Sequence, residues 1–139
     1  MVIGDLHFHL NPKFDLPDGS NFLLDRQEAT LRWIFEEAER RKAKTMVMLG
    51  DIHTSKDRLP NAVKNSLLSV MEDYKEIRKI IVCGNHDANG EAIRYLAPYC
   101  EIYSENEVID VQDEAVAIVP YSKDVESQEE FLQSCGLLS

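Results

Sequence analysis

Three short runs gather the side chains able to do chemistry: Asp5-Leu6-His7, Gly50-Asp51-Ile52-His53 and Gly84-Asn85-His86-Asp87. Carboxylate, imidazole and carboxamide donors in this combination suit one divalent metal site. Asp5 and His7 are separated by one residue, so at a strand end both can face the same side. Asp51 follows a glycine that permits close backbone approach, and its carboxylate could bridge two cations. Asn85 offers a neutral carbonyl oxygen as a ligand, and His86 beside it could face a substrate. Two cations about 3.5–4 Å apart can activate a water and stabilise both oxygens of an in-line displacement at phosphorus. Taken singly, each of these residues is as readily a helix cap or a turn former. Three clusters at three successive strand ends shift the balance towards a site.

The elements that must position these residues are readable on either side of them. Each run follows a short apolar stretch: Met1-Val2-Ile3, Met46-Val47-Met48-Leu49 and Ile80-Ile81-Val82-Cys83. Each therefore reads as the C-terminal end of a buried strand, the edge at which open α/β sheets bind ligands. Residues 10–21 carry Pro12, Pro17 and Gly19 and read as a long loop. From Leu24 to Lys42 the spacing of Leu31, Ile34, Phe35 and Ala38 predicts a helix. A second helix is expected from Pro60, with Val63, Leu67, Val70, Met71 and Tyr74 on one stripe. The strands are Thr45–Leu49 and Lys79–Cys83, which gives β-α-β-α-β with parallel strands. Beyond residue 90, Glu91–Leu96 suits a short helix. Val108–Val111 and Ala115–Val119 suit an antiparallel hairpin joined through Gln112, Asp113 and Glu114. Ser127-Gln128-Glu129-Glu130 matches a capping box for a last helix that stops at Gly136.

Composition narrows the classes. A chain of 139 residues makes one domain the default, and 44% apolar content is enough for one core. No apolar run approaches the ~20 residues that a membrane-spanning helix needs, and no signal peptide is visible. Cys83, Cys100 and Cys135 are odd in number and widely spaced, which fits free thiols in a reducing, cytoplasmic setting. The net charge of −10 argues against tight non-specific binding of nucleic acid by this chain alone. Bound cations would invert that charge locally.

The runs DLH, GD and GNHD, in this order and at these strand ends, resemble the calcineurin-like metallophosphoesterases. The resemblance implies an α/β fold, a β-sandwich flanked by helices, present here as its N-terminal β-α-β-α-β half plus a hairpin. It implies a two-metal centre in which Asp5 and His7 bind the first cation, Asp51 bridges both and Asn85 binds the second. His86 would protonate the leaving group or stabilise the transition state, and Asp87 would orient His86. His9 and His53 are expected in the loops or behind the ligands. Within the family the chain looks most like the SbcD-like double-strand-break repair nucleases. The long loop after DLH and the run Ala117-Ile118-Val119-Pro120-Tyr121 carry that narrower likeness.

That resemblance implies Mn²⁺ as the metal, with Mg²⁺, Fe²⁺ or Zn²⁺ as alternatives. It implies DNA as substrate and an SbcC-like ATPase subunit as partner, leaves a homodimer open, and implies no membrane. The other functional readings are a small-molecule or phosphoprotein metallophosphatase and a truncated, non-catalytic remnant. The family carries a further histidine and a Gly-His-x-His motif in its second half. Here all four histidines lie at or before His86. The expectation is one metallophosphoesterase domain over residues 1–139, incomplete at its C-terminal end.

Overall fold

The computed structural model describes residues 1–54 and 59–138, with the backbone alone at positions 88 and 89. Strand β1 (Val2–Gly4) leads through the 10–21 loop to helix α1 (Phe22–Arg40), and β2 (Thr45–Leu49) to helix α2 (Asn61–Asp73). Strand β3 (Arg78–Val82) follows, then a 3₁₀ segment (Ala88–Leu96) and strand β4 (Glu101–Tyr103). Strands β5 (Glu107–Val111) and β6 (Glu114–Ile118) precede helix α3 (Val125–Ser134). The first four strands form one parallel sheet in the order β1-β2-β3-β4. Sequential order with crossovers of one hand places the helical connections on one face of the sheet.

Packing confirms that arrangement. Met46, Met48 and Ile81 point into the helical layer, where Leu31, Phe35 and Ala38 of α1 and Val63, Leu67, Val70 and Met71 of α2 are buried with them. Alternate residues on the same strands face the other way. Ile80, Val47 and Val82 meet Ile109 and Ile118 of the β5–β6 hairpin, which forms a second, antiparallel sheet. The hairpin covers the β3–β4 side of that face. On the β1–β2 side Val2 and Leu49 are 62% and 53% exposed. The expected β-α-β-α-β half plus hairpin is therefore the observed architecture.

Local detail refines several expectations. Asn21 caps α1 by accepting from Leu24 N at 3.1 Å. Its amide also donates to the Asn11 carbonyl and the Asp15 carboxylate, which ties the 10–21 loop to the helix start. That loop holds a single 3₁₀ turn, Pro12–Phe14. The β5–β6 turn is only two residues, Gln112 and Asp113, both at positive φ (57° and 67°), and Glu114 belongs to β6. Such a turn matches the strand twist of a two-residue hairpin. The capping box at Ser127 is corrected: the cap of α3 is Asp124, whose side chain accepts from Ser127 N. Strand β4, absent from the sequence reading, pairs with β3 through Ile81↔Ile102. No helix among the described residues is long and apolar enough to cross a membrane.

Candidate metal centre

Parallel strands deliver their C-terminal ends to one edge of the sheet, and the three polar runs meet there. The ligand atoms of Asp5, His7 and Asp51 all lie within 4.8 Å of one another. His7 Nε2 is 3.8 Å from Asp51 Oδ2 and 4.0 Å from Asp5 Oδ1. The Asn85 amide reaches the same carboxylate. With its NH₂ turned inward it donates to Asp51 Oδ2 at 2.9 Å and Oδ1 at 3.1 Å. With its carbonyl turned inward, the Asn85 oxygen and the Asp51 carboxylate would together be placed to hold a cation. Two carboxylates, an imidazole and a carboxamide oxygen fit a divalent cation of the Mg²⁺, Mn²⁺, Fe²⁺ or Zn²⁺ kind.

The backbone beneath these side chains turns through positive φ. Asp5, His7 and Asp51 have φ of 53°, 47° and 48°. Asp and His reach this region more readily than other side chains do, and contacts between the runs fix them there. Part of the hold is a zipper between the first two runs: His7 N donates to Asp51 O at 2.8 Å and Phe8 N to Ile52 O at 2.9 Å. The His7 carbonyl then accepts from Gln27 Nε2 of α1, His9 Nδ1 and Thr54 Oγ1. The second and third runs meet backbone to backbone. A Cβ on Gly50 would lie 2.5 Å from Gly84 Cα, and one on Gly84 would lie 2.7 Å from Asp51 N.

Asp87 closes the structure. Its buried carboxylate accepts from Asp51 N (2.8 Å), Gly84 N (2.7 Å) and Ile52 N (3.2 Å). The sequence reading has Asp87 orient His86; in the structure both of its oxygens accept from main-chain N–H groups of the two glycine loops. The His86 imidazole is held instead by the Thr54 carbonyl, 3.0 Å from Nδ1. A carbonyl only accepts, so Nδ1 carries the proton and Nε2 is the free nitrogen. The His86 ring stands edge-on to that of His7, with centroids 5.4 Å apart. Its backbone N–H donates to Asp51 Oδ1 at 2.9 Å, which ties the third run to the second.

The other two histidines stay out of the cluster. His9 Nδ1 is turned back onto the His7 carbonyl. His53 is fully buried, gives Nε2 to the Ala92 carbonyl and stacks near Tyr95. Cys83 lies one residue before Gly84, but burial pushes its thiol up to about 12, with Asp87 adding to the shift. It is a neutral thiol here rather than a thiolate ligand. Gln27 and Thr54 escaped the sequence reading because nothing in their local context distinguishes them. Their role comes from meeting His7 across 20 and 47 residues of chain. Beside the cluster a cleft of about 270 Å³ runs from Asp51 and Asn85 to Val119 and Tyr121.

Comparison with known families matches residues 1–133 to the calcineurin-like phosphoesterases. The chain belongs to the calcineurin-like phosphoesterase family. No curated protein matches it. Among solved structures it is similar to a protein of unknown function, AQ665, from Aquifex aeolicus, at 21% identity and a TM-score of 0.45. That likeness covers 96% of this chain and 69% of the other. Membership of the family makes this a chain of the metal-dependent phosphoester hydrolases, and the Asp5–His7–Asp51 cluster is a candidate seat for the cation they use.

Proposed function

We propose that this calcineurin-like phosphoesterase hydrolyses phosphodiesters, with DNA as the favoured substrate, at the centre built from Asp5, His7, Asp51 and Asn85. The observation that carries the reading is the convergence of three ligand atoms within 4.8 Å at one sheet edge. Asp5 and His7 would hold one cation, Asp51 would serve two and Asn85 would hold the second. Bound there, divalent cations, Mn²⁺ first among them, supply Lewis-acid activation and neutralise charge at phosphorus. His86, with Nδ1–H fixed on the Thr54 carbonyl, presents Nε2, which in the doubly protonated ring would donate its proton to the leaving oxygen and leave the neutral Nδ1–H tautomer behind. Asp87 keeps the two glycine loops together so that Asp51 and Asn85 stay aimed at one point.

DNA as substrate and an SbcC-like ATPase partner rest on the narrower SbcD-like resemblance, supported by the place of Val119 and Tyr121 beside the cluster. The net charge of −10 favours the second reading, a small phosphoester, because a long polyanion gains little from such a surface. Residues 87–139 contain no histidine, so the second cation would lack imidazole ligands within this chain. The purified chain should therefore bind Mn²⁺ in a titration that Asp51→Ala abolishes, with weak or no cleavage of DNA. Absence of Mn²⁺ binding would reject the centre. Robust Mn²⁺-dependent cleavage would reject the account of its second half. Tight binding with no turnover on any phosphoester would favour the non-catalytic remnant.

A further inference from the structure

Tyr121 is exposed by 54%, yet the peptide that leads into it is held at both its N–H and its carbonyl. Its N–H donates to the Cys83 carbonyl at 2.9 Å, at the end of β3. The preceding Pro120 is buried, and its carbonyl accepts from Gln128 Nε2 of α3 at 2.7 Å. An exposed ring on a pinned backbone is a preorganised flat surface that costs little entropy to use. One side of Tyr121 borders the cleft that contains Asp51 and Asn85, with Leu49 and Val119 as its apolar wall. Tyr121 also borders a polar shelf of about 440 Å³ formed with Ser104, Glu105, Ser122 and Lys123.

We infer that Tyr121 is the stacking platform of a nucleoside subsite, one sugar removed from the phosphate held at the metal centre. This rests on the proposed function and names the substrate class of the same site. A base leaving that phosphate along the cleft meets the Tyr121 ring, whose face attracts any nucleobase. The shelf beyond suits the polar rim of such a ligand. The Glu105 carboxylate accepts from amino or hydroxyl groups, Ser104 and Ser122 donate or accept, and Lys123 supplies one cation. A carboxylate beside a single lysine disfavours a run of phosphates on that shelf. The shared chemistry is therefore a base and sugar on one side of a phosphodiester, supplied either by the end of a polynucleotide or by a mononucleotide diester.

The test is calorimetric binding to the chain in Mg²⁺, using a thymidine dinucleotide with a phosphorothioate linkage and its abasic counterpart. The wild-type chain should prefer the dinucleotide by about 10-fold, the order expected for one base on one aromatic ring. Tyr121→Ala should erase the preference and Tyr121→Phe should keep it. If Tyr121→Ala lowers the unfolding midpoint, Tyr121→Leu, which keeps bulk without a ring face, replaces it with the same expectation. A tetranucleotide that binds tighter than the dinucleotide identifies a polynucleotide end, and equal binding identifies a mononucleotide diester. Equal binding of the dinucleotide and its abasic counterpart, or wild-type preference in Tyr121→Ala and Tyr121→Leu, overturns the subsite. Inorganic phosphate separates the two ideas. Mg²⁺-dependent phosphate binding without base preference rejects only the subsite, whereas no phosphate binding at all rejects the proposed function beneath it.

Discussion

Replacing Asp87 tests the account of how the centre is held. Its buried carboxylate accepts three main-chain N–H bonds, at 2.7, 2.8 and 3.2 Å. In Asp87→Ala those three donors lose their partner. An unsatisfied buried donor costs about 1–3 kcal/mol, but the variant also removes the carboxylate's own desolvation and lets the loops relax. With three donors left unpaired, the net expectation is about 3 kcal/mol or more. That is a large share of the ~5–15 kcal/mol available to a domain. Asp87→Asn keeps the shape. Its oxygen can still serve Asp51 N and Gly84 N, but its NH₂ faces Ile52 N–H, donor against donor, so one bond is lost and about 1–2 kcal/mol with it. Asp51 is held at φ 48° through the same bonds, so metal affinity should fall alongside stability. Urea unfolding and Mn²⁺ calorimetry read the two effects. If Asp87→Asn leaves both the midpoint and the affinity unchanged and lowers only turnover, Asp87 serves His86 after all and this reasoning is wrong.

Gly50→Ala should cost at least about 2 kcal/mol and abolish Mn²⁺ binding, because it adds a Cβ at φ 69° against the Gly84 backbone. Unaltered unfolding and titration curves would show that the two loops do not need that contact. His86→Ala should lower whatever turnover the chain shows about 10²-fold while nearly sparing metal binding, whereas Asp51→Ala should lose at least one cation. Loss of metal in His86→Ala as complete as in Asp51→Ala would move His86 among the ligands. Burial raises the Cys83 and Cys100 thiols from 9.0 to about 12, so both stay protonated at pH 8 and should resist iodoacetamide until the chain is unfolded. Fast labelling of either in the folded chain, seen by mass spectrometry, would contradict their placement.

The sequence by itself determined the frame of the site. Apolar stretches such as Ile80-Ile81-Val82 encode buried parallel strands, and the polar run after each must emerge at one edge, because parallel strands all end on the same side. Helices α1 and α2 were equally legible, since Leu31, Phe35 and Ala38, like Val63, Leu67 and Val70, repeat with the period of a helix face. Strand β4 was not, because three residues, Glu101–Tyr103, carry no period of their own and become a strand only by pairing with β3. The Ser127 motif matched a cap, but Asp124, three residues earlier, took the position. The tertiary structure alone decided the partners. Asp87 adjoins His86 in the chain, yet two of its three partners, Asp51 N and Ile52 N, lie 36 and 35 residues away. Thr54 orients His86 through a main-chain carbonyl, a group every residue type carries and no sequence pattern marks. Local pattern encodes period and chain direction. Which buried N–H meets which carboxylate, and which residues are held at positive φ, depend on distant segments arriving at the same place.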